Sequence, residues 1–214
     1  MALTRILLWL GNSFVGCAVL MAVTALCGVI MLEFAQASRF ALLTVGMGVI
    51  GAIFIAITRG TPARERNSDA LAFLLLFWIV MPLVMALPYI LSGVVPTFTA
   101  AYFESVSAVT TTGASTLSAD DLPKTLLFWR SILQWFGGVS TATFAVVVLA
   151  ALNLSGTGVH RSMLFTLKKG ELFTRLIGIG RVVAGVYLVL ALFCFFGLVI
   201  TGTPVFDSLC LAMT

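Results

Sequence analysis

Apolar residues fill five uncharged runs, 6–32, 40–58, 70–103, 131–159 and 182–206, and the charged residues sit at or between their edges. Each run reaches or exceeds the roughly 18–20 residues that cross a hydrocarbon layer as an α-helix. Backbone amides in lipid must be satisfied within the segment, and these runs are continuous rather than alternating with a period of two, so they predict helices and not a barrel. The pattern gives spans near 6–31, 40–58, 70–93, 125–152 and 173–201, with Pro82 and Pro88 placed to kink the third. One apolar stretch does not fit this scheme. Between Pro96 and the polar run that begins at Thr110, the segment Phe98 to Val109 is amphipathic and too short to cross. A short helix that enters the layer and gives way to a polar loop is the pattern of a re-entrant pore loop, because irregular backbone at membrane depth survives only where protein buries it or water lines it.

Composition strengthens this picture. The 214 residues are 61% hydrophobic and 9% charged, with mean hydropathy +1.16, against about 25% charged residues in soluble domains. That leaves too little polar surface to coat a water-soluble particle. The net charge of +4 does not point to nucleic acid, since the basic residues do not form a patch on a soluble element. Arg5, Arg59, Arg64, Arg66, Arg161, Lys168, Lys169 and Arg175 flank the spans on one side, whereas Arg39, Lys124 and Arg130 lie at or near the other. By the positive-inside rule the N-terminus is cytoplasmic and the loop after Val109 faces outward.

Several other features are weaker. Cys17, Cys27, Cys194 and Cys210 all lie in apolar stretches without a C-x-x-C pair and read as small hydrophobic residues. His160 stands alone, without a ligand partner nearby. The first uncharged run far exceeds the ~7–15 residues of a signal-peptide core and is read as a retained helix. Gly46-Met47-Gly48-Val49-Ile50-Gly51 matches G-x-G-x-x-G but lies inside a span, with no preceding strand; small residues there suit close helix packing. No paired carboxylates, nucleophile–base arrangement or metal-ligand spacing is present, so no catalytic residue and no cofactor is expected.

The candidate chemistry lies in Thr110-Thr111-Thr112-Gly113-Ala114-Ser115. A dehydrated monovalent cation needs oxygens that replace its water shell, and backbone carbonyls supply them without full charges. Gly113 permits dihedrals that a side chain forbids. The alternative is a Thr-rich surface turn after a buried helix. Glu104 and Arg130, charges inside or at the edge of spans, read either as a pair bracing the loop from behind or, for Arg130, as a side chain reaching the headgroups. A partial repeat follows: Phe103-Glu104-Ser105-Val106-Ser107 has a counterpart 103 residues later in Phe206-Asp207-Ser208-Leu209-Cys210, and each is preceded by a glycine and a proline, Gly93 and Pro96 or Gly202 and Pro204. The second copy reaches Thr214 where its own loop is due, so the chain reads as cut within a second unit.

The stretch Tyr102-Phe103-Glu104-Ser105-Val106-Ser107-Ala108-Val109-Thr110-Thr111-Thr112-Gly113-Ala114-Ser115 resembles the first pore loop of the Trk/Ktr/HKT potassium transporters. Leu127-Phe128-Trp129-Arg130-Ser131-Ile132-Leu133-Gln134-Trp135-Phe136-Gly137-Gly138 is similar to the helix that follows it in that family. The resemblance implies four such units around a central pore, homodimers, K+ as the transported ion, an inner-membrane location, and a cytoplasmic nucleotide-binding regulatory subunit of the TrkA type. Carried over by position, Thr111 and Thr112 are potassium ligands through their carbonyls, flanked by Thr110 and Gly113. The family commonly continues Gly-Gly with Met-Gly, whereas Val139-Ser140 stands here, which puts packing or hinge behaviour at that point in question.

The expected fold is therefore an all-α integral membrane protein with two leading transmembrane helices followed by helix–pore-loop–helix units. Residues 1–68 hold the leading helices and a cytoplasmic loop, 69–152 the first pore unit, and 153–214 a cytoplasmic loop and an incomplete second unit. The expected function is potassium uptake. The competing reading is a non-conducting assembly module or a fragment that needs further domains.

Overall fold

The computed structural model describes residues 3–60, 67–153 and 172–214. The expected basic loops around 59–69 and 153–170, with His160, fall largely outside these residues. The described part is helical throughout: α1 (Leu3–Ile30), α2 (Phe34–Thr58), α3 (Asn67–Met85), α4 (Leu87–Ser92), α5 (Phe98–Val109), α6 (Lys124–Asn153), α7 (Leu172–Ile200) and α8 (Val205–Met213). Among the described residues, four stretches are long and apolar enough to cross a membrane: Leu3–Ile30, Phe34–Thr58, Asp69–Ser92 and Leu176–Ile200. The expected fourth span corresponds to α6, which is 30 residues long. Its buried residues include Ser131, Gln134, Ser140 and Thr143, so it serves protein neighbours on several sides.

Helices α1 and α2 form an antiparallel hairpin. At their crossing a Cβ added to Gly11 would meet Gly51 O at 3.1 Å, and one added to Gly51 would meet Gly11 O at 2.8 Å. Of the G-x-G-x-x-G stretch only Gly51 makes such an approach; Gly46 and Gly48 face open space. Without a hydrophobic driving force between helices in lipid, close backbone approach of this kind provides the packing attraction. α2 begins at Phe34 rather than near residue 40, and so takes Arg39 into the helix. The third apolar run divides at Ala86 into α3 and α4. Pro82 and Pro88 lack an amide hydrogen, so two links of the i to i−4 ladder are missing around this point.

The interior is aromatic where α3 meets α6. Phe77 lies edge-on to Phe144 at 4.9 Å between ring centroids, with Phe73, Trp78 and Phe136 around them. Phe40 of α2 meets Trp129 of α6 edge-on at 5.4 Å, and Trp129 Nε1 donates to Met85 O at 3.3 Å. Tilted and edge-on aromatic pairs add about 0.5–1.5 kcal/mol each beyond their area. The outward faces of α1, α2 and α7 carry exposed apolar side chains, among them Leu26, Leu42 and Val189. Such a surface matches lipid tails, which are as apolar as leucine.

The path into α5 is set by turn chemistry. Gly93 closes α4 with φ +74, and Thr97 caps α5 by accepting Ala100 N at 3.2 Å through its hydroxyl. The path into α8 repeats this logic, with Gly202 at φ +89 and Pro204 at the N-cap. Ser105 and Ser208, equivalent in the partial repeat, are both fully buried.

Candidate ion-binding loop

α5 ends where its amide hydrogens turn back. Thr111 N donates to Ala108 O at 3.0 Å, Thr112 N to Ser107 O at 3.0 Å, and Gly113 N to the same oxygen at 3.3 Å. The first two bonds form a Schellman closure with Thr111 at the left-handed position, φ +57. That position normally takes glycine, and a β-branched residue there is strained. Gly113 follows with φ +74.

This closure has a direct consequence for the carbonyls. In a trans peptide the C=O points opposite to the N–H of the same plane. With the amides of residues 111, 112 and 113 aimed at the helix end, the carbonyls of Thr110, Thr111 and Thr112 are directed away from it. Among the described residues none of these three oxygens accepts a hydrogen bond, and the three residues are exposed. The C-terminus of α5, with the partial negative charge of a helix end, lies directly beneath them. Three free, uncharged oxygens above a negative helix terminus favour a cation over an anion.

Five side chains, those of Glu104, Ser107, Thr110, Thr112 and Arg130, hold the loop in this shape. The Thr110 and Thr112 hydroxyls are 2.8 Å apart, and Thr110 Oγ1 also donates to Val106 O at 2.8 Å. Ser107 Oγ donates to Ala114 O at 2.5 Å. Glu104, 1% exposed, receives Thr116 N at 2.7 Å and Thr116 Oγ1 at 2.9 Å on one oxygen and lies 2.9 Å from Ser115 Oγ on the other. Arg130 Nη2 donates to Gly113 O at 2.6 Å. The expected pair between Glu104 and Arg130 is thus replaced by two separate holds on one loop: the carboxylate takes donors, the guanidinium takes an acceptor, and the hydrogen-bond partners of each belong to the loop. Gly113 O, engaged by a cation, differs from the three carbonyls before it.

The arrangement of helices around this loop matches known proteins. The family model described as TrkH, cation transport protein, matches residues 49–205. The chain belongs to the TrkH family. It is 36% identical over 163 residues to the Trk system potassium uptake protein TrkH of Salmonella typhimurium, covering 75% of this chain and 34% of that protein. It is 33% identical over 156 residues to the Trk system potassium uptake protein TrkG of Escherichia coli, covering 72% and 32%. The crystal structure of the potassium transporter TrkH from Vibrio parahaemolyticus superposes with a TM-score of 0.77 at 26% identity, covering all of this chain and 42% of that one. This TrkH-family chain therefore spans about a third of the length of the curated relatives it matches.

Two further features of this TrkH-family chain surround the loop. Gly137 of α6 lies against Val109, the last residue of α5: a Cβ there would fall 2.7 Å from the Val109 carbonyl carbon and collide with its oxygen. Gly138 lies against α7, where a Cβ would meet the Tyr187 ring at 2.8 Å. The glycine pair was visible in the sequence, but its two partners were not. At this departure from the family pattern Val139-Ser140 continues α6 without a break, and Val139 O accepts Thr143 Oγ1 at 2.7 Å. The other feature, Glu33, gave no signal beyond its charge. It caps the N-terminus of α6, accepting Lys124 N and Thr125 N at 2.9 Å each and Thr125 Oγ1 at 2.6 Å.

Proposed function

We propose that this chain supplies one filter segment of a potassium-uptake pore in the cytoplasmic membrane, with the carbonyls of Thr111 and Thr112 as ligands and Thr110 and Gly113 flanking them. The observation that carries this reading is the row of three unpartnered carbonyls at the C-terminus of α5. Oxygens that need no desolvation of a hydrogen-bond partner can replace the water of a monovalent cation as it enters. The names of the relatives, potassium uptake proteins and a potassium transporter, agree in the ion.

In this reading residues 1–68 form a leading hairpin, 69–152 the first helix–pore-loop–helix unit, and 153–214 part of a second. The N-terminus is cytoplasmic, following the positive charge on the loops around 59–66 and 161–175. The assembled protein is a homodimer that engages a cytoplasmic nucleotide-binding subunit of the TrkA type. The chain itself is a transport element and carries out no covalent chemistry.

The test is potassium-limited growth of an uptake-deficient host that carries the full-length protein, with and without Gly113→Ser. Serine at φ +74 is strained and disturbs the segment whose carbonyls select the ion. The variant is expected to lose preference for K+ over Na+. Unchanged preference would overturn the filter assignment and leave the loop with an assembly role.

A further inference from the structure

Beside the apolar packing of Phe40 on Trp129, two charged side chains tie the leading hairpin to the pore unit, and each matches the sign of a helix end. Glu33, in the α1–α2 turn, places its carboxylate on the N-terminus of α6 through Lys124 N, Thr125 N and Thr125 Oγ1. Arg39, in the first turns of α2, donates from Nη1 to Ser92 O at 2.9 Å, the last residue of α4. An anion at a helix N-terminus and a cation at a C-terminus are each favoured by the peptide dipoles. The spacing of the two charges on the hairpin thus fits the end of α4 and the start of α6, which flank α5 and its loop on either side.

Each tie leads to the loop by a short route. From Ser92 the chain passes through Gly93, and Ser92 Oγ both donates to Tyr89 O at 2.6 Å and accepts Val94 N at 3.2 Å, fixing the approach to α5. From Lys124 and Thr125, α6 runs less than two turns to Arg130, which holds Gly113 O, and about two more to Gly137, which lies against Val109. Sliding or rotating α6 moves both contacts. Close approach at the Glu33 tie is permitted by Gly28, where a Cβ would meet Thr125 Oγ1 at 2.9 Å. Gly28 O also accepts Glu33 N at 2.8 Å, which orients the turn.

We propose that Glu33 and Arg39 are positioning residues for ion selectivity: the leading hairpin is a two-point clamp that sets the separation of α4 and α6 and thereby the shape of the 110–113 segment. The inference rests on the filter reading and adds to it residues remote from the loop. A hairpin that served only as a membrane anchor would tolerate loss of these ties without a change in ion preference.

The experiment uses the full-length protein in an uptake-deficient host. Rubidium uptake is measured with and without competing Na+, alongside protein abundance, for Glu33→Ala, Arg39→Gln, Arg39→Lys and Thr125→Val, with Gly113→Ser run in parallel. Glu33→Ala and Arg39→Gln are expected to lower discrimination against Na+ by roughly tenfold, the factor given by ~1.4 kcal/mol of differential ion binding. Arg39→Lys keeps the charge at the end of α4 and is expected to retain discrimination. Thr125→Val removes one of the three bonds to Glu33, so it shows a smaller loss in a protein that still folds. Discrimination unchanged in both Glu33→Ala and Arg39→Gln, while Gly113→Ser alters it, overturns the clamp and leaves the filter standing. Flux that falls only in step with abundance overturns it equally. If Gly113→Ser is also without effect, the filter reading fails together with the clamp.

Discussion

Gly137 of α6 and Val109 of α5 touch backbone to backbone, with no room for a methyl group between them. The contact lies at the residue where α5 ends and the Thr-Thr-Thr-Gly segment begins. Gly137→Ala must therefore push the helix end, and overpacking of this kind costs about 1–3 kcal/mol. We expect the variant to melt at a lower temperature and to lose potassium-dependent growth. Gly46→Ala, in open space on α2, is the matched control and should change neither. Equal melting temperatures for Gly137→Ala and wild type would show that the two helices are not in fixed contact.

Glu104 and Arg130 act on different atoms of the loop, and this sets the outcome of exchanging them. Glu104→Ala removes the acceptor of Thr116 N and Thr116 Oγ1 and leaves Ser115 Oγ with Leu117 O alone, whereas Glu104→Gln keeps an oxygen for the two Thr116 donors. Ser115 and Thr116 are exposed, so water can take up the freed donors and each lost bond costs about 0.5–1.5 kcal/mol net. The alanine variant, which loses all three, should be more damaging than the glutamine variant. Arg130→Gln should loosen Gly113 and reduce ion discrimination. The double exchange Glu104→Arg with Arg130→Glu should not rescue either single variant, because a carboxylate at 130 cannot donate to Gly113 O. Recovery of uptake by the exchange, measured at equal abundance, would restore the direct ion pair as the better description.

Much of this architecture was legible. Pro96 before the helix and the polar run after Val109 marked both ends of α5, because a proline break and a change of hydrophobicity are local signals. The roles of Glu104 and Arg130 were harder. Charge and span position left two readings, a pair behind the loop or an Arg130 that reaches the headgroups, and a backbone carbonyl leaves no mark in sequence, so Gly113 O could not be named as the acceptor for Arg130. Arg39 was expected in a turn since a charge usually ends an apolar run; it lies within α2 because Ser92 O, over fifty residues away, satisfies it. Thr111 in the left-handed region runs against its own intrinsic preference, which is where local rules fail when a site imposes its shape.

Strain at Thr111 can be measured. The left-handed region costs an L-residue with a Cβ about 1–2 kcal/mol, while glycine loses about 0.5–1 kcal/mol through its freer unfolded chain. Thr111→Gly should therefore raise stability slightly, by up to ~1 kcal/mol. The hydroxyl bond between Thr110 and Thr112 does not involve this side chain and is retained. A thermal melt of the purified full-length protein tests this, and a clear drop in melting temperature would mean that the Thr111 side chain contributes contacts that offset the backbone cost.

Tyr89 presents the opposite case, a polar group that gains nothing visible from its surroundings. Its side chain is 0% exposed, and its hydroxyl has no hydrogen-bond partner in the structure. It stands one helical turn beyond Met85, whose carbonyl receives Trp129 Nε1, in a helix that packs against α2 and α5. Burying a hydroxyl without a partner costs about 1–3 kcal/mol, and replacing it by an apolar group of the same shape removes that cost. Tyr89→Phe should leave the melting temperature unchanged or raise it, with uptake retained. A variant less stable than wild type by more than about 1 kcal/mol would instead show that the hydroxyl is satisfied by a buried water, which must then be held by a second polar group in the same wall.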